Sequence, residues 1–144
     1  MSRNYNKVIL VGNVGATPEL RHTKNNTSVT NFSISTIDHY KNKSGELQKL
    51  KKWHRIVCWG KLAENTVRGI KEGQLVLIEG ALSYRNREKD GIKIPVAEIK
   101  ASEVKKWANA IHITHENENV EIIEDDDIGE ELTEEYPNQT ESLS

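Results

Sequence analysis

Every Lys and Arg of this 144-residue chain lies at or before Lys106. Up to that point there are 20 of them against 10 Asp and Glu, a formal charge of +10. Trp107–Ser144 carries 12 Asp and Glu and no Lys or Arg, a charge of −12. The whole-chain value of −2 therefore hides a basic body joined to an acidic tail. This partition constrains where a core can form. In the tail Val120, Ile122, Ile123, Ile128 and Leu132 are scattered among acids too dense to be buried together. Gly129 and Pro137 argue against one long helix there. The chain is therefore expected to fold over 1–106, long enough for one modest core. Residues 107–144 are expected to be an acidic, largely disordered tail. Within it Glu116–Ser144 is read as disordered except for a short segment that orders on binding. A basic body implies a polyanionic partner. The tail implies either protein recruitment or competition with that polyanion.

Composition removes several classes. No apolar run approaches the roughly 18 residues of a membrane span, so no membrane partner is expected. The first apolar run, Val8–Val11, is broken by Gly12 and Asn13 and does not read as a signal peptide. A single cysteine, Cys58, excludes an intramolecular disulfide framework and fits a soluble protein of a reducing compartment.

The body reads as short β segments interrupted by one helix. Asn6–Val14 is β-like, with Gly12 and Gly15 permitting a bend. Pro18 marks a turn over 16–19. Thr27–His39 alternates, with Thr30, Phe32, Ile34 and Thr36 on one face and Val29, Asn31, Ser33, Ser35 and Ile37 on the other. Ser44-Gly45 signals a hairpin tip within Tyr40–Leu50. Lys51–Trp59 is the third strand. Leu62, Ala63, Thr66, Val67 and Ile70 recur at helical spacing, predicting a helix over Gly60–Lys71 that Gly73 stops. Gln74–Tyr84 and Ile92–Val104 are strands flanking a charged tip, Arg85–Gly91. Three strands, a helix and two more strands make the order of a mainly β OB-fold. That fold is a five-stranded Greek-key barrel with one helix between strands 3 and 4, an architecture that often binds oligonucleotides.

The third strand carries the strongest chemical signal. Period-two geometry puts Trp53, Arg55, Val57 and Trp59 on one face, and His54, Ile56 and Cys58 on the other. Indole rings stack on unpaired bases of any sequence, and arginine pairs with phosphate or stacks. Both tryptophans also suit a buried core. The adjacent Lys49, Lys51 and Lys52 favour a stacking platform, because a phosphate-tracking groove needs cations beside its rings. Tyr40 with Lys41 and Lys43, and Tyr84 with Arg85 and Arg87, repeat the aromatic-plus-base pattern. Arg3, Lys7, Arg21 and Lys61 extend it. No nucleophile–base constellation is present, so catalysis is not expected. His112 and His115 lack the partners a metal site requires, and neither a metal nor another cofactor is expected.

Several linked motifs resemble the bacterial single-stranded DNA-binding protein family. They are Asn6-Lys-Val-Ile-Leu-Val-Gly-Asn-Val-Gly, Pro18-Glu-Leu-Arg21, Trp53-His-Arg-Ile-Val, Gly60-Lys-Leu-Ala-Glu64 and Ile78-Glu-Gly80. The resemblance runs from about Asn4 to Lys106. It implies a homotetramer of OB-folds that binds and protects single-stranded DNA, without strong sequence preference, in replication, recombination and repair. It also implies a cytoplasmic, nucleoid-associated location. It places Trp53 at a stacking position, Trp59 at an aromatic position that is often phenylalanine, and Tyr40 at another that is often tryptophan. His54, Asn6, Val8 and Leu10 fall at positions that support subunit contacts. Two departures stand out. A tryptophan that some members carry near Arg87 is absent here, and Tyr84 sits three residues earlier. The acidic tip closing on Pro-Phe, which family partners read, is also missing. Asp125–Gly129 resembles that tip but is internal. Docking of replication and repair proteins in the usual mode is therefore not expected, and Val120–Leu132 is the remaining protein-binding candidate. An OB-fold that binds RNA, or a scaffold whose working part is the tail, stays open on the residues alone.

Overall fold

The computed structural model describes residues 3–107 and 122–124. They fall into two compact units, 3–36 with 53–107, and 37–52 with 122–124. Seven strands and one helix occur among the described residues: β1 (Val8–Val14), β2 (Arg21–His22), β3 (Ser28–Lys41), β4 (Leu47–Trp59), α1 (Gly60–Gly69), β5 (Leu75–Lys89), β6 (Ile92–Lys106) and β7 (Ile122–Glu124). The sheet order is β2-β3-β1-β5-β6-β4-β7, and β3 also pairs with β4. That extra pairing closes β1, β3, β4, β5 and β6 into a five-stranded barrel with the helix between its third and fourth strands, the OB-fold. β4 meets β6 in parallel, Ile56 opposite Ile99 and Val57 opposite Lys100.

The alternation of β3 holds over 29–34, beyond which Ser35 is also buried and Ile37, Asp38 and His39 are all exposed. Thr30, Phe32 and Ile34 are buried, while Asn31 is exposed. Thr30 escapes the cost of an unpaired buried hydroxyl by donating to the Glu19 carbonyl at 2.8 Å. Phe32 and Ile34 join Ile56 and Cys58 of β4, Ala63 of α1, Ile70, Val76 and Ile78 of β5, and Ile99 and Ala101 of β6 in one core. Each fully buried aliphatic side chain contributes about 1.5–3 kcal/mol.

Several boundaries differ from the sequence reading, each for an identifiable reason. The helix stops at Gly69 rather than Lys71, because Ile70 turns extended (φ −109°, ψ 133°) and enters the core. Gly73 is not the stop. Its N–H bonds the Val14 carbonyl at 2.8 Å in the turn leading to β5. β4 begins at Leu47, and the first hairpin tip is held by the Asn42 carboxamide oxygen, which accepts from Ser44 N–H (3.0 Å) and Glu46 N–H (2.9 Å). The charged stretch Arg85–Gly91 is mostly strand. β5 and β6 stay paired to Lys89 opposite Ile92, leaving only Asp90 and Gly91 to turn, at φ 54° and 76°. Two left-handed residues in succession are what a two-residue type I′ hairpin requires.

One short stretch of the acidic segment lies among the described residues. Ile122–Glu124 forms β7, which pairs in parallel with Lys49–Lys51 of β4. The rest of Glu116–Ser144 lies outside the described residues, as do His112 and His115.

Candidate nucleic-acid interface

Strand alternation on β4 leaves Trp53, Arg55 and Trp59 exposed, with the tryptophans 39% and 43% accessible. A core position for both is therefore ruled out within the described chain. Val57 shares their parity but is buried at 5%, so the solvent-facing group is Trp53, Arg55 and Trp59. Trp59 is extended (φ −121°, ψ 149°) and is the cap residue from which α1 starts.

The Trp53 ring lies across the backbone at Gly15. A Cβ at Gly15 would come within 2.7 Å of Trp53 Cζ3 and 3.2 Å of Cη2. Gly15 lies in the bend that follows β1, as its sequence suggests, and a side chain there would also collide with the indole. On the opposite parity His54 is half-buried, and its Nε2 lies 2.8 Å from Thr36 Oγ1. Cys58 is fully buried, and burial pushes its thiol up to about 11, partly opposed by a hydrogen bond from Thr66. A thiol so held remains protonated and is no nucleophile.

Two shallow cavities adjoin this face. One, about 190 Å³, is bordered by Trp53, Arg55, Leu82 and Glu98. The other, about 220 Å³, is bordered by Asn31, Ser33, Arg55, Arg85 and Glu98. Arg85 Nε donates to Glu98 Oε2 at 3.1 Å, and the Glu98 side chain is only 15% exposed. Arg85 is thus a held cation, not a free hairpin charge. Arg87, opposite Ile94, shares the Arg85 face of the ribbon, while Tyr84, opposite Ala97 and 65% exposed, projects from the other. The cluster expected from Tyr84, Arg85 and Arg87 is split because the segment is regular strand rather than loop.

The remaining candidates separate. Arg3, Lys7, Arg21 and Lys61 are exposed, and none borders either cavity beside Trp53. Lys7 lies 3.8 Å from Glu79 and Lys61 3.9 Å from Glu64, surface pairs of small energetic weight. In the second unit Tyr40 is half-buried and Lys43 is exposed in the hairpin tip. Lys52 pairs with Asp38 at 2.8 Å. Lys49 corrects the reading outright. It is buried at 8% and aligned with Ile122 of β7, so it is not presented to solvent. No local signal marks this, because the neighbouring strand comes from more than seventy residues away in sequence.

The subunit-contact candidates of the first strand, Asn6, Val8 and Leu10, are placed as follows. Val8 and Leu10 pack against the barrel's own core, and Ile9 (56%) and Val11 (37%) are the outward residues. The Asn6 carboxamide is engaged within its own chain, donating to the Leu82 carbonyl at 2.8 Å and accepting from Leu82 N–H at 2.9 Å. The sequence reading missed two contacts. Gly15 was visible in its motif for the bend it makes, but not for its approach to Trp53. Glu98 is one acid in a mixed strand, and nothing before folding ties it to Arg85.

A closed five-stranded barrel with one helix between its third and fourth strands defines an OB-fold, here with tryptophans and arginines exposed on its surface. A model of the single-strand binding protein family matches residues 5–107. The chain belongs to that family. It is 42% identical over 106 residues to single-stranded DNA-binding protein 1 of Chlorobaculum tepidum, a match spanning 72% of this chain and 65% of the relative. Among solved structures it resembles a deletion mutant of the single-stranded DNA-binding protein from Thermus aquaticus, with TM-score 0.64, 30% identity, and 75% and 53% of the two chains covered. It also resembles the Plasmodium falciparum SSB in complex with ssDNA, with TM-score 0.63, 25% identity, and 69% and 89% covered. The chain thus spans just under two thirds of its Chlorobaculum relative and about half of the Thermus chain.

Proposed function

We propose that this protein binds and protects single-stranded DNA without strong sequence preference, as a non-enzymatic component of replication, recombination and repair. The observation that carries the reading is the exposure of Trp53 and Trp59 on either side of Arg55 along one barrel strand. Rings open to solvent meet bases, and the guanidinium between them meets phosphate or a further base. Family membership and the DNA complex of the Plasmodium relative support the same ligand. We place the DNA-binding unit at 1–106 and the acidic tail at 107–144, working as a homotetramer in the cytoplasm on nucleoid DNA. Ile9 and Val11 are the outward residues of β1 available to subunit contact.

The test is titration of intrinsic tryptophan fluorescence with a thymine oligonucleotide about 35–70 bases long, whose unstacked bases are free to meet the rings. Saturable quenching that weakens with salt is expected, because bound cations release counterions from the strand. Trp53→Ala should cost about 1–3 kcal/mol, the value of one lost stack. Unchanged affinity at matched salt in a folded variant would remove Trp53 from the interface.

A further inference from the structure

We propose that Arg55 and Arg85 converge on a single backbone phosphate of the bound strand, in a seat completed by Asn31 and Ser33 and pre-set by Glu98. This rests on the single-strand-binding reading above and names the part of the strand that the arginines hold. A contact to the backbone carries no base information, so the seat is blind to sequence. It is the depression of about 220 Å³ bordered by Asn31 and Ser33 of β3, Arg55 of β4, Arg85 of β5 and Glu98 of β6. Its two guanidinia, carboxamide and hydroxyl all carry hydrogen-bond donors. Among the described residues the side chains of Asn31, Ser33 and Arg55 make no hydrogen bond or ion pair, so each keeps its donors for a ligand. The cavity beside Trp53 shares Arg55 and Glu98 with the seat, so a strand stacked on Trp53 runs past it.

The charges select the ligand. Two guanidinia and one carboxylate leave the seat a formal +1, the counterpart of one phosphodiester. Glu98 looks out of place on a surface that binds an anion, and its geometry explains it. Its side chain is only 15% exposed, against 53% for Arg85. Oε2 accepts from Arg85 Nε at 3.1 Å, and Arg85 has no other side-chain partner among the described residues. Nε is thereby occupied while the terminal Nη groups, which form a fork that grips phosphate, stay open. An arginine held in this way has less rotamer freedom to lose when the phosphate arrives. Arg55 offsets the carboxylate charge. Asn31 and Ser33 add neutral hydrogen bonds of the kind that such side chains make to phosphate oxygens.

The test is titration with a thymine oligonucleotide across a range of salt. Each phosphate neutralised on a single strand adds about 0.7 to the slope of log affinity against log salt. Arg55→Gln and Arg85→Gln should each weaken binding, and the double variant should lose about 0.7 of slope, the share of one phosphate. A loss of about 1.4 means a separate phosphate for each arginine and overturns the shared seat. Asn31→Ala should weaken binding several-fold with the slope unchanged, because a neutral donor releases no counterion. Unchanged affinity in folded Asn31→Ala also overturns the seat. Glu98→Gln and Glu98→Ala remove the same charge, but only glutamine keeps an acceptor for Arg85 Nε. Glu98→Gln should bind several-fold tighter than Glu98→Ala, and the difference should vanish when Arg85→Gln is added to both. A difference that survives there reduces Glu98 to a structural part and overturns its positioning role. If the Glu98 variants do not fold, the arginine slopes decide. A folded wild-type protein that binds no strand at low salt sinks the single-strand-binding reading itself, whereas the slopes presuppose binding and judge only the seat.

Discussion

The contact between Gly15 and Trp53 separates the position of the stacking ring from its presence. In Gly15→Ala the new Cβ would sit 2.7 Å from Trp53 Cζ3. Carbon atoms normally meet at about 3.5–4.0 Å, so the ring edge must move outward by roughly 1 Å. The ring has room to do so, being 39% exposed. Gly15 also lies outside the left-handed region, so alanine adds no backbone strain. Alanine further narrows the unfolded ensemble, worth about 0.4–1 kcal/mol of stability, which offsets the displaced contact. Stability should therefore stay near wild type. Binding should not. A radial gap of about 0.5–1 Å forfeits a quarter to a half of a van der Waals well. Applied to a stack worth about 1–3 kcal/mol, this predicts a loss of about 0.3–1.5 kcal/mol, roughly two- to tenfold in Kd. The assay is oligonucleotide titration of wild type, Gly15→Ala, Trp53→Ala and the double variant at one salt concentration. If Gly15 acts only through the ring, its effect vanishes in the Trp53→Ala background, and the coupling equals its whole single-variant cost. An undiminished loss in that background would refute the reasoning and assign Gly15 a direct backbone role.

Two further outcomes test the fold itself. Gly91→Val should destabilise by about 1–2 kcal/mol in urea denaturation, since φ of +76° is a strained conformation for a side chain with a Cβ. An unchanged midpoint would mean that the β5–β6 turn is not type I′ in solution. The Cys58 thiol, held at about 11 against an ordinary 9.0, favours the folded state while protonated. Its stabilisation is therefore complete below pH 9 and is lost as pH rises toward 11, by up to about 3 kcal/mol for a shift of two pH units. Cys58→Ala should lack this alkaline decline relative to wild type, and parallel pH profiles for the two proteins would contradict the assignment.

Much of this architecture was legible before any coordinates. Alternation in β3, helical spacing at Leu62, Ala63 and Thr66, and turn chemistry at Ser44-Gly45 are local patterns. They report local backbone geometry, and from them the strand order of the barrel followed. Exposure of Trp53, Arg55 and Trp59 on one face was an expectation of the same kind, because alternation needs only the strand itself. The charge partition at Lys106 likewise needs no fold to be read. Other features depend on partners distant in the chain. Parity alone did not say whether Val8 and Leu10 or Ile9 and Val11 face outward; packing against the closed barrel decided that. The Arg85–Gly91 stretch looked like loop because it is polar, yet a facing strand and a two-residue turn kept it extended. Lys49 looked free until β7 lay alongside it, and Glu98 looked like any surface acid until Arg85 came within 3.1 Å. Periodicity determined which segments are strands and which residues share a face. Only the tertiary structure decided which face each segment buries and which charges meet, because those depend on contacts between segments that no local pattern encodes.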